Sequence, residues 1–511
     1  MDRQIRRVGI GFVLLFALLF GQLTYVQVVA ADRIANDPAN AARQIIAEYK
    51  VERGVILTRD GVVLAESVPA EEGSALLFDR DYPQGALYGH ITGYYSRIFG
   101  RSGLEDAMNE ELSGEAPELA IQNLSDLILG RPREGASIVV TIDHDLQTAA
   151  ADALGNLPGG VAAIDPNTGD ILALVSNPSF DPLEISTGTD RAIRRAWKRL
   201  TDAEDRPLIS RATDELFPPG SSFKIVTASA ALENGFGIDS TWPNPHRLAL
   251  PQTTNQLRNF ADVHCNGGSA TITLLEGFVE SCNVTFGQVA LEVGAREMAE
   301  QARAFGFCPT FPPTQTDCLE ETIPFVLEFE TGRFPDPAYF ADQQPLLAFS
   351  GVGLDNDLTN PLMQALVAGA VANEGTMMQP RLVTTVLDPQ GRPVREYGVE
   401  QFSQPISDET ARALTEMMRQ VVSRGTAFSA FADSPCRDLV AGKTGTATGV
   451  ESEAPHAWFT AFAPAGPGQR QIAVAVIVEN GGGDTEATGG AVAAPIARAV
   501  IEAYLGGCVR E

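Results

Sequence analysis

The sequence predicts an α+β protein: an antiparallel sheet with helices on both faces, a smaller mixed N-terminal domain and one N-terminal membrane helix. The uncharged apolar stretch within residues 8–29 is long enough to cross a membrane as a helix. Residues 31–135 mix short strand and helix patterns. In residues 136–511, strand patterns at both ends enclose a helical middle. Strands so far apart in the chain favour one antiparallel sheet covered by helices.

The apolar stretch near the N-terminus predicts a single membrane anchor. Three arginines precede it: Arg3, Arg6 and Arg7. Only Arg33 follows closely, next to Asp32. Because basic residues favour the cytoplasmic side, we expect residues 1–30 to form a cytoplasmic stub and anchor, with the rest outside the cell. Small residues at 29–31 leave a cleaved signal peptide open, although the apolar run is longer than a usual signal core.

Residues 31–135 are predicted to form a separate small domain, and residues 136–511 the larger one. In the first, residues 53–68 alternate apolar and polar side chains around Asp60-Gly61, a dipeptide that favours a hairpin turn. In the second, a hairpin is expected around the turn at 166–169. Other windows of the second unit predict helices at 144–154, 221–232, 273–280, 284–293, 361–371, 408–422 and 491–505, and strands at 137–142, 439–448, 457–463 and 471–479.

The charge of the chain argues against a nucleic-acid partner. It has 37 basic and 65 acidic side chains, a formal net charge of −28. A surface this acidic repels a polynucleotide. Acidity that only aids solubility explains the composition equally well, so it indicates no function by itself.

All six cysteines lie beyond the predicted anchor, where an exported chain can form disulfides. Six cysteines allow fifteen pairings, so the sequence cannot fix the connectivity. Pairing near neighbours gives Cys265–Cys282 and Cys308–Cys318, which leaves Cys436–Cys508. The first of these bonds would tether the loop around residue 282. Neither a CxxC nor a His-rich spacing is present, so no zinc site is predicted.

Lysine is rare in this chain, which has four: Lys50, Lys198, Lys224 and Lys443. Unlike arginine, a desolvated lysine can lose its proton and act as a base. Lys224 follows Ser221 by three residues. Two prolines and a glycine directly precede Ser221, and a helix cannot continue toward the N-terminus through them. A helix that begins at about Ser221 places both side chains on one face, where a neutral lysine would activate the hydroxyl. Alone, the spacing also fits an N-cap serine followed by a solvent-facing lysine.

Two further segments carry candidate groups. The run Lys443-Thr444-Gly445-Thr446 lies in a strand-like segment, where a glycine often marks close approach of a ligand. Its ammonium and hydroxyl groups are suited to a carboxylate, although a strand edge with a turn explains the run as well. Ser281 and Asn283 lie between helical segments, and their hydroxyl and carboxamide fit proton relay and the binding of a peptide amide. Taken singly, each segment is weak support for a site.

The three segments together form SxxK, SxN and KTG, in that order, in a chain predicted to be exported. With these motifs the chain resembles the class B penicillin-binding proteins, which are monofunctional peptidoglycan D,D-transpeptidases. The resemblance covers nearly the whole chain and includes Arg53-Gly54-Val55-Ile56, Gly103-Leu104-Glu105, Thr141-Ile142-Asp143, residues 165–173 and Trp458-Phe459. It implies a penicillin-binding/serine β-lactamase-like fold for residues 136–511 and a non-catalytic, pedestal-like or dimerisation domain for residues 31–135.

The resemblance implies a catalytic role for five residues. Ser221 would attack the penultimate D-alanine of a stem peptide, with Lys224 as its base. Ser281 would help pass the proton to the leaving amine, Asn283 would hold the backbone of the acyl donor, and Lys443 would supply positive potential.

The same resemblance implies the binding groups and the partners. Thr444, Gly445 and Thr446 would hold the terminal carboxylate, and the N–H groups of Ser221 and Thr446 would form the oxyanion hole. The expected ligands are peptidoglycan stem peptides and β-lactams. The cytoplasmic membrane, through residues 8–29, and membrane proteins of the division or elongation machinery are the expected partners. Neither a metal nor an organic cofactor is implied.

Several alternatives share part of this pattern. A D,D-carboxypeptidase differs only in using water as acceptor, and the sequence separates it poorly. A β-lactamase is disfavoured because no ExxLN-like segment follows SxN to position a hydrolytic water. A β-lactam sensor would need a cytoplasmic effector domain, and only seven residues precede the apolar stretch. A structural protein of the division complex would not require both motif lysines. Glu105-Asp106 resembles the acidic pair of a glycosyltransferase, but no such domain fits before residue 135.

Overall fold

The computed structural model describes residues 2–26, 30, 49–72, 74, 76–119, 128–130, 132–310, 323–448, 454–466 and 471–508. The strands are β1 Ile56–Leu57, β2 Val63–Pro69, β3 Phe78–Asp81, β4 Tyr95–Ser96, β5 Gly100–Arg101, β6 Ser137–Val140, β7 Gly159–Ile164, β8 Ile171–Asn177, β9 Thr241–Pro243, β10 Arg247–Ala249, β11 Gln256–Arg258, β12 Thr271–Thr273, β13 Cys308–Thr310, β14 Arg333–Pro335, β15 Met377–Met378, β16 Val383–Leu387, β17 Pro393–Glu396, β18 Gln401–Ser403, β19 Ala441–Thr448, β20 Pro455–Ala463 and β21 Ile472–Val478.

The α-helices are distributed along the whole chain. They are α1 Asp2–Thr24, α2 Gly89–Thr92, α3 Gly103–Ala107, α4 Asn109–Leu112, α5 His144–Leu154, α6 Leu183–Ser186, α7 Asp190–Thr201, α8 Lys224–Glu233, α9 Leu274–Val279, α10 Asn283–Val293, α11 Ala295–Ala304, α12 Gln344–Ser350, α13 Pro361–Ala372, α14 Asp408–Arg424, α15 Phe428–Phe431 and α16 Ala494–Tyr504. Short 3-10 turns connect several of them, including the turn Gly220–Phe223 directly before α8.

A five-stranded antiparallel sheet in the order β19-β20-β21-β7-β8 forms the centre of the larger unit. Its inner strands β20, β21 and β7 are buried along their full length, which is the burial expected of a sheet covered on both faces. Helix α13 packs against β21, β7 and β20, while α5 and α16 pack against each other and against β8 and β21. The predicted α+β fold, with a sheet assembled from distant segments, is therefore confirmed.

A second, six-stranded sheet joins segments from the two predicted units, in the order β17-β16-β6-β1-β2-β3. The predicted hairpin around Asp60-Gly61 forms here as β1 and β2, with Gly61 at a φ of 85°. Strand β6 pairs in parallel with β1 and antiparallel with β16. The boundary predicted near residue 135 is therefore crossed by hydrogen bonds of a continuous sheet, and the division at 30 and 135 stays a prediction.

A buried ion cluster holds the N-terminal unit together. The Glu105 carboxylate accepts from Arg53 Nε at 2.5 Å and from Arg80 Nε at 2.7 Å, and all three side chains are buried. Burial alone would raise the pKa of Glu105, but the two guanidinium groups outweigh it and lower this pKa below its usual value. Glu105 therefore has a structural role, in agreement with the sequence argument against a glycosyltransferase site.

Helix α1 contains the stretch Arg6–Thr24, the one segment among the described residues that is long and apolar enough to cross a membrane. It fits a single-pass anchor. Residues 27–29 of the predicted anchor lie outside the described residues. Two of the three predicted disulfides, Cys265–Cys282 and Cys436–Cys508, are formed. Cys318, of the third predicted pair, lies outside the described residues.

Candidate active site

Ser221 lies in a tight turn that precedes helix α8. Gly220 adopts a φ of 53°, and the next residues form the 3-10 turn Gly220–Phe223, in which the Ser222 hydroxyl donates to Pro219 O at 2.8 Å. The α-helix itself begins at Lys224, one turn later than the sequence predicted. The tighter turn arises because a glycine with positive φ turns the chain just before the serine.

Three neighbouring segments fix this turn from outside. Gly220 N–H donates to Gly353 O at 2.8 Å, and the indole Nε1 of Trp458 donates to Pro218 O at 3.0 Å. Phe217 and Thr359 exchange backbone hydrogen bonds of 2.8 and 2.9 Å. The position of Ser221 is therefore set by hydrogen bonds to the backbone of the turn and does not depend on the serine side chain.

Strand β19 carries the KTG run along the edge of the five-stranded sheet, directly against the Ser221 turn. A Cβ at Gly445 would lie 2.8 Å from Pro219 O and 3.0 Å from Ser222 N, and a Cβ at Gly220 would lie 2.5 Å from Thr446 O. Only glycine fits at both places. Because Gly220 and Gly445 have no side chains, the turn that holds Ser221 and the strand that carries KTG can pack in direct contact.

The SxN segment approaches the same place from the start of helix α10. Ser281 has a φ of 61°, which is strained for a residue with a side chain. Cys282 follows as the N-cap of α10, is disulfide-bonded to Cys265, and donates its N–H to Gly277 O at 2.8 Å. The predicted disulfide Cys265–Cys282 therefore joins the loop around residue 282 to the segment before β12.

The hydroxyl of Ser281 lies between the two motif lysines. Lys443 Nζ donates to Ser281 Oγ at 2.8 Å and to Thr444 O at 3.0 Å. Lys224 Nζ lies 3.4 Å from the same Oγ, and it donates to Ser281 O at 2.7 Å and to Asn283 Oδ1 at 2.9 Å. All three motifs thus meet through one hydroxyl group.

Both lysines are completely buried. Burial lowers the pKa of Lys224 well below its usual value, and the nearby charge of Lys443 lowers it further. Burial lowers the pKa of Lys443 to about 7. Phe286 and Phe278 lie 5.4 and 5.5 Å from the two ammonium nitrogens, at the distance of a cation–π contact. Near neutral pH this pair can therefore supply one neutral amine, which is what a base requires.

A cavity of about 330 Å³ opens over this constellation. Five of the predicted site residues line it: Ser221, Ser281, Asn283, Thr444 and Thr446. The two lysines lie buried behind Ser281, and Gly445 lies in the backing of the cavity, against the nucleophile turn. The structure therefore brings together all eight residues that the sequence singled out.

Several lining residues were not predicted. The Thr426 hydroxyl bonds the Thr444 hydroxyl at 2.6 Å, and the amide of Gly489 donates to Thr446 Oγ1 at 3.4 Å. A Cβ at Gly489 would lie 2.0 Å from Trp458 O, and one at Gly490 would lie 2.3 Å from Thr426 O. The pair Gly489-Gly490 just before a helix is a signal that the sequence offered, whereas an isolated threonine such as Thr426 gives none.

One wall of the cavity comes from the loop that follows β11. Asn259, Phe260, Ala261 and Val263 line it, and the Phe260 and Val263 side chains are more than half exposed. This loop is bound to the SxN segment, since Asn283 Nδ2 donates to Arg258 O at 3.0 Å and the Asn259 carboxamide accepts from Val284 N–H. The contacts are all between residues distant in sequence, so no local pattern revealed them.

Two family descriptions match the sequence. One is the "Penicillin binding protein transpeptidase domain", over residues 159–502, and the other is the "Penicillin binding protein A dimerisation domain", over residues 53–138. Together these matches cover most of the residues after the predicted anchor.

Whole-chain similarity leads to the same proteins. The peptidoglycan D,D-transpeptidase PbpA of Mycolicibacterium smegmatis is 37% identical over 517 residues, covering 99% of this chain and 99% of that protein. PbpA of Mycobacterium tuberculosis is 36% identical over 518 residues, covering 99% and 100%. The structure of penicillin-binding protein A from M. tuberculosis as a ceftriaxone acyl-enzyme complex superposes with a TM-score of 0.81 at 35% identity, covering 90% of this chain and 100% of the other.

Proposed function

This chain belongs to the penicillin-binding transpeptidase family, and on that premise we propose that it cross-links peptidoglycan through an acyl-enzyme formed on Ser221. As a peptidoglycan D,D-transpeptidase it takes a stem peptide that ends in D-Ala-D-Ala as acyl donor and an amine of a neighbouring stem as acceptor. The observation that carries the assignment of residues is the meeting of all three motifs at the Ser281 hydroxyl, beside the turn that holds Ser221.

Lys224 is the base in this proposal. A neutral amine has two N–H bonds and one lone pair. Its two short contacts, to Ser281 O at 2.7 Å and to Asn283 Oδ1 at 2.9 Å, use both N–H bonds. The lone pair is then left to accept a proton from a hydroxyl. Ser221 lies three residues before Lys224, in the 3-10 turn that leads into α8. The Ser221 oxygen attacks the carbonyl carbon of the penultimate D-alanine as its proton passes to Lys224.

The tetrahedral intermediate carries its negative charge on the former carbonyl oxygen. The N–H groups of Ser221 and Thr446 are the proposed donors to this oxygen, because the turn and the strand that carry them are in contact. The C–N bond to the terminal D-alanine then breaks, and its nitrogen takes a proton through the Ser281 hydroxyl, which lies between the two lysines. The acceptor amine attacks the resulting ester, loses a proton to the same relay and releases Ser221.

Binding of the donor falls to the groups at the mouth of the cavity. Thr444 and Thr446, on the edge strand, face a terminal carboxylate in this proposal, Gly445 permits its close approach, and the buried Lys443 behind them supplies positive potential. Asn283 offers its carboxamide to the donor backbone. A β-lactam that resembles D-Ala-D-Ala enters by the same contacts and acylates Ser221.

The chain is proposed to act outside the cytoplasm, held by the apolar helix α1. The helix fits a single-pass anchor in a bacterial cell membrane, and peptidoglycan lies outside that membrane. The arginines before the apolar stretch favour a cytoplasmic N-terminus. Membrane proteins of the division or elongation machinery are the proposed partners of the anchor and the N-terminal unit.

The direct test supplies the full chain in detergent with uncross-linked glycan strands that carry pentapeptide stems. We expect release of D-alanine together with cross-linked dimeric stems, and neither product from Ser221→Ala. Release of D-alanine without cross-links would make the protein a D,D-carboxypeptidase and contradict the proposed acceptor. Cross-linking by Ser221→Ala would contradict the proposed nucleophile.

A further inference from the structure

A second cavity, of about 360 Å³, lies between the N-terminal unit and the segments that follow β8. Its lining comes from α2 and α3 and their connection on one side, and from residues 180–214 and 326–328 on the other. It shares no lining residue with the cavity over Ser221. The proposed cross-linking reaction makes no use of it.

Aromatic rings form one side of this cavity. Tyr94 meets Trp197 edge-on with ring centroids 5.6 Å apart, and Phe180 meets Tyr94 edge-on at 6.5 Å. Phe99 stacks on Trp197 at 4.3 Å and holds it in place. Tyr94, Phe180 and Trp197 therefore give the cavity an aromatic side, and a cation that contacts the face of such a ring is attracted to it.

The charged side chains of the cavity carry an excess of negative charge. Asp106, Asp214 and Glu328 line it together with one guanidinium, that of Arg101, whose Nε lies 3.4 Å from Asp106 Oδ1. His90 adds no positive charge at neutral pH, because burial lowers its pKa to about 4. The lining therefore repels an anionic ligand and attracts a cationic one.

Asp214 is the most enclosed of these carboxylates. Its oxygens accept from the Thr213 hydroxyl at 2.7 Å and from the Ser210 amide at 3.3 Å, and these two hydrogen bonds restrain the orientation of the group. Burial raises the pKa of Asp214 to about 6, and the negative charges of Glu328 and Glu330 also raise it. A bound cation would relieve this repulsion.

We propose that this cavity binds a primary ammonium group on a flexible aliphatic chain, such as the side chain of a diamino acid, with the ammonium between the Asp214 carboxylate and the aromatic rings. Free diamino acids and the amine-bearing stems of peptidoglycan both present this group. The inference goes beyond the proposed function, because the site lies apart from the cavity over Ser221, here called the groove, and needs no acylation of Ser221.

The test measures binding of three probes to the full chain in detergent by calorimetry. The first is the tripeptide L-Ala-γ-D-Glu-L-Lys, which has a free side-chain amine and lacks the D-Ala-D-Ala end. The second is its Nε-acetyl form, and the third is free L-lysine. Each is titrated before and after treatment with benzylpenicillin, which fills the groove. We expect the tripeptide to bind both forms, and acetylation to weaken it at least about tenfold, as loss of a charge-assisted hydrogen bond requires.

Asp214→Asn keeps the shape of the side chain and removes its charge, so it should weaken the tripeptide about tenfold. Asp202→Asn, an exposed position beyond the cavity, is the matched control and should leave affinity unchanged. Affinity should also fall below about pH 6, as Asp214 takes up a proton.

L-Lysine binding as tightly as the tripeptide would support a free diamino acid as the natural ligand, and tighter binding of the tripeptide would support a stem.

Three results would overturn the proposal: equal binding of the acetylated tripeptide, unchanged binding by Asp214→Asn, or loss of binding after benzylpenicillin treatment. Loss of binding after benzylpenicillin treatment would mean that the tripeptide binds in the groove over Ser221. Failure of benzylpenicillin to acylate the protein would count against the proposed function instead. The comparison of Asp214→Asn with Asp202→Asn would still test whether the cavity binds the ammonium group.

Discussion

The disulfide Cys265–Cys282 should control acylation out of proportion to its contribution to stability. It closes a loop of 17 residues, for which chain entropy gives a stabilisation of about 3 kcal/mol. Cys436–Cys508 closes 72 residues, for which the same relation gives about 4 kcal/mol. Only the first lies at the groove, since Cys265 lines the cavity and Cys282 lies between Ser281 and Asn283.

The expected effect on acylation follows from the backbone of Ser281. Its positive φ stores about 1–3 kcal/mol, and the disulfide on the next residue holds the loop in that conformation. When the tether is removed, the loop relaxes and the Ser281 hydroxyl leaves the two lysines. Regaining the active geometry then costs the stored energy, which predicts a roughly 5- to 150-fold slower acylation.

The assay compares two double variants, Cys265→Ser/Cys282→Ser and Cys436→Ser/Cys508→Ser. Urea denaturation gives the free energy of unfolding, and a fluorescent penicillin gives the second-order acylation rate of the folded protein. We expect the second variant to lose more stability and to acylate at the wild-type rate, and the first to acylate more slowly. Equal acylation rates in the two variants, or faster acylation without Cys265–Cys282, would refute the role assigned to the tether.

Three further predictions concern the buried groups. Because burial lowers the pKa of Lys443 to about 7 and its ammonium is the proposed positive charge for the carboxylate, the acylation rate should fall as the pH rises through about 7; a rate independent of pH between 6 and 9 would contradict this. Gly445→Ala should slow acylation about 100-fold by pushing the edge strand off the nucleophile turn, whereas Gly466→Ala, at an open position, should not. Glu105→Ala should reduce the free energy of unfolding by about 3–5 kcal/mol because it leaves two buried guanidinium groups unpaired. The exposed Asp106→Ala should change that free energy by less than about 0.5 kcal/mol, and equal losses would contradict the ion cluster.

Elements with a strong local pattern could be predicted from the sequence. Helix α5 has the predicted bounds, and β20 and β21 differ from the predicted strands by one or two residues at their ends. The two strands are apolar runs, and α5 lies between the N-cap Asp143 and the C-cap Gly155, so local patterning defines all three. The eight motif residues could be found because their spacing within each motif is short.

The remaining features depend on contacts between distant segments. The parallel pairing of β1 with β6 and the salt bridges of Glu105 join residues far apart in the chain. Thr426 reaches the groove only because helix α14 packs against β19. The positive φ of Ser281 is likewise imposed by its surroundings, since nothing in a serine favours it.

The central claim is that one hydroxyl, that of Ser221, becomes acylated in a groove formed by three distant motifs. Intact-mass analysis after incubation with benzylpenicillin, followed by peptide mapping, tests it most directly. We predict one penicilloyl group on the wild type, located on Ser221, one on Ser222→Ala and none on Ser221→Ala. An adduct that persists in Ser221→Ala, or that maps to another residue, would contradict the claim.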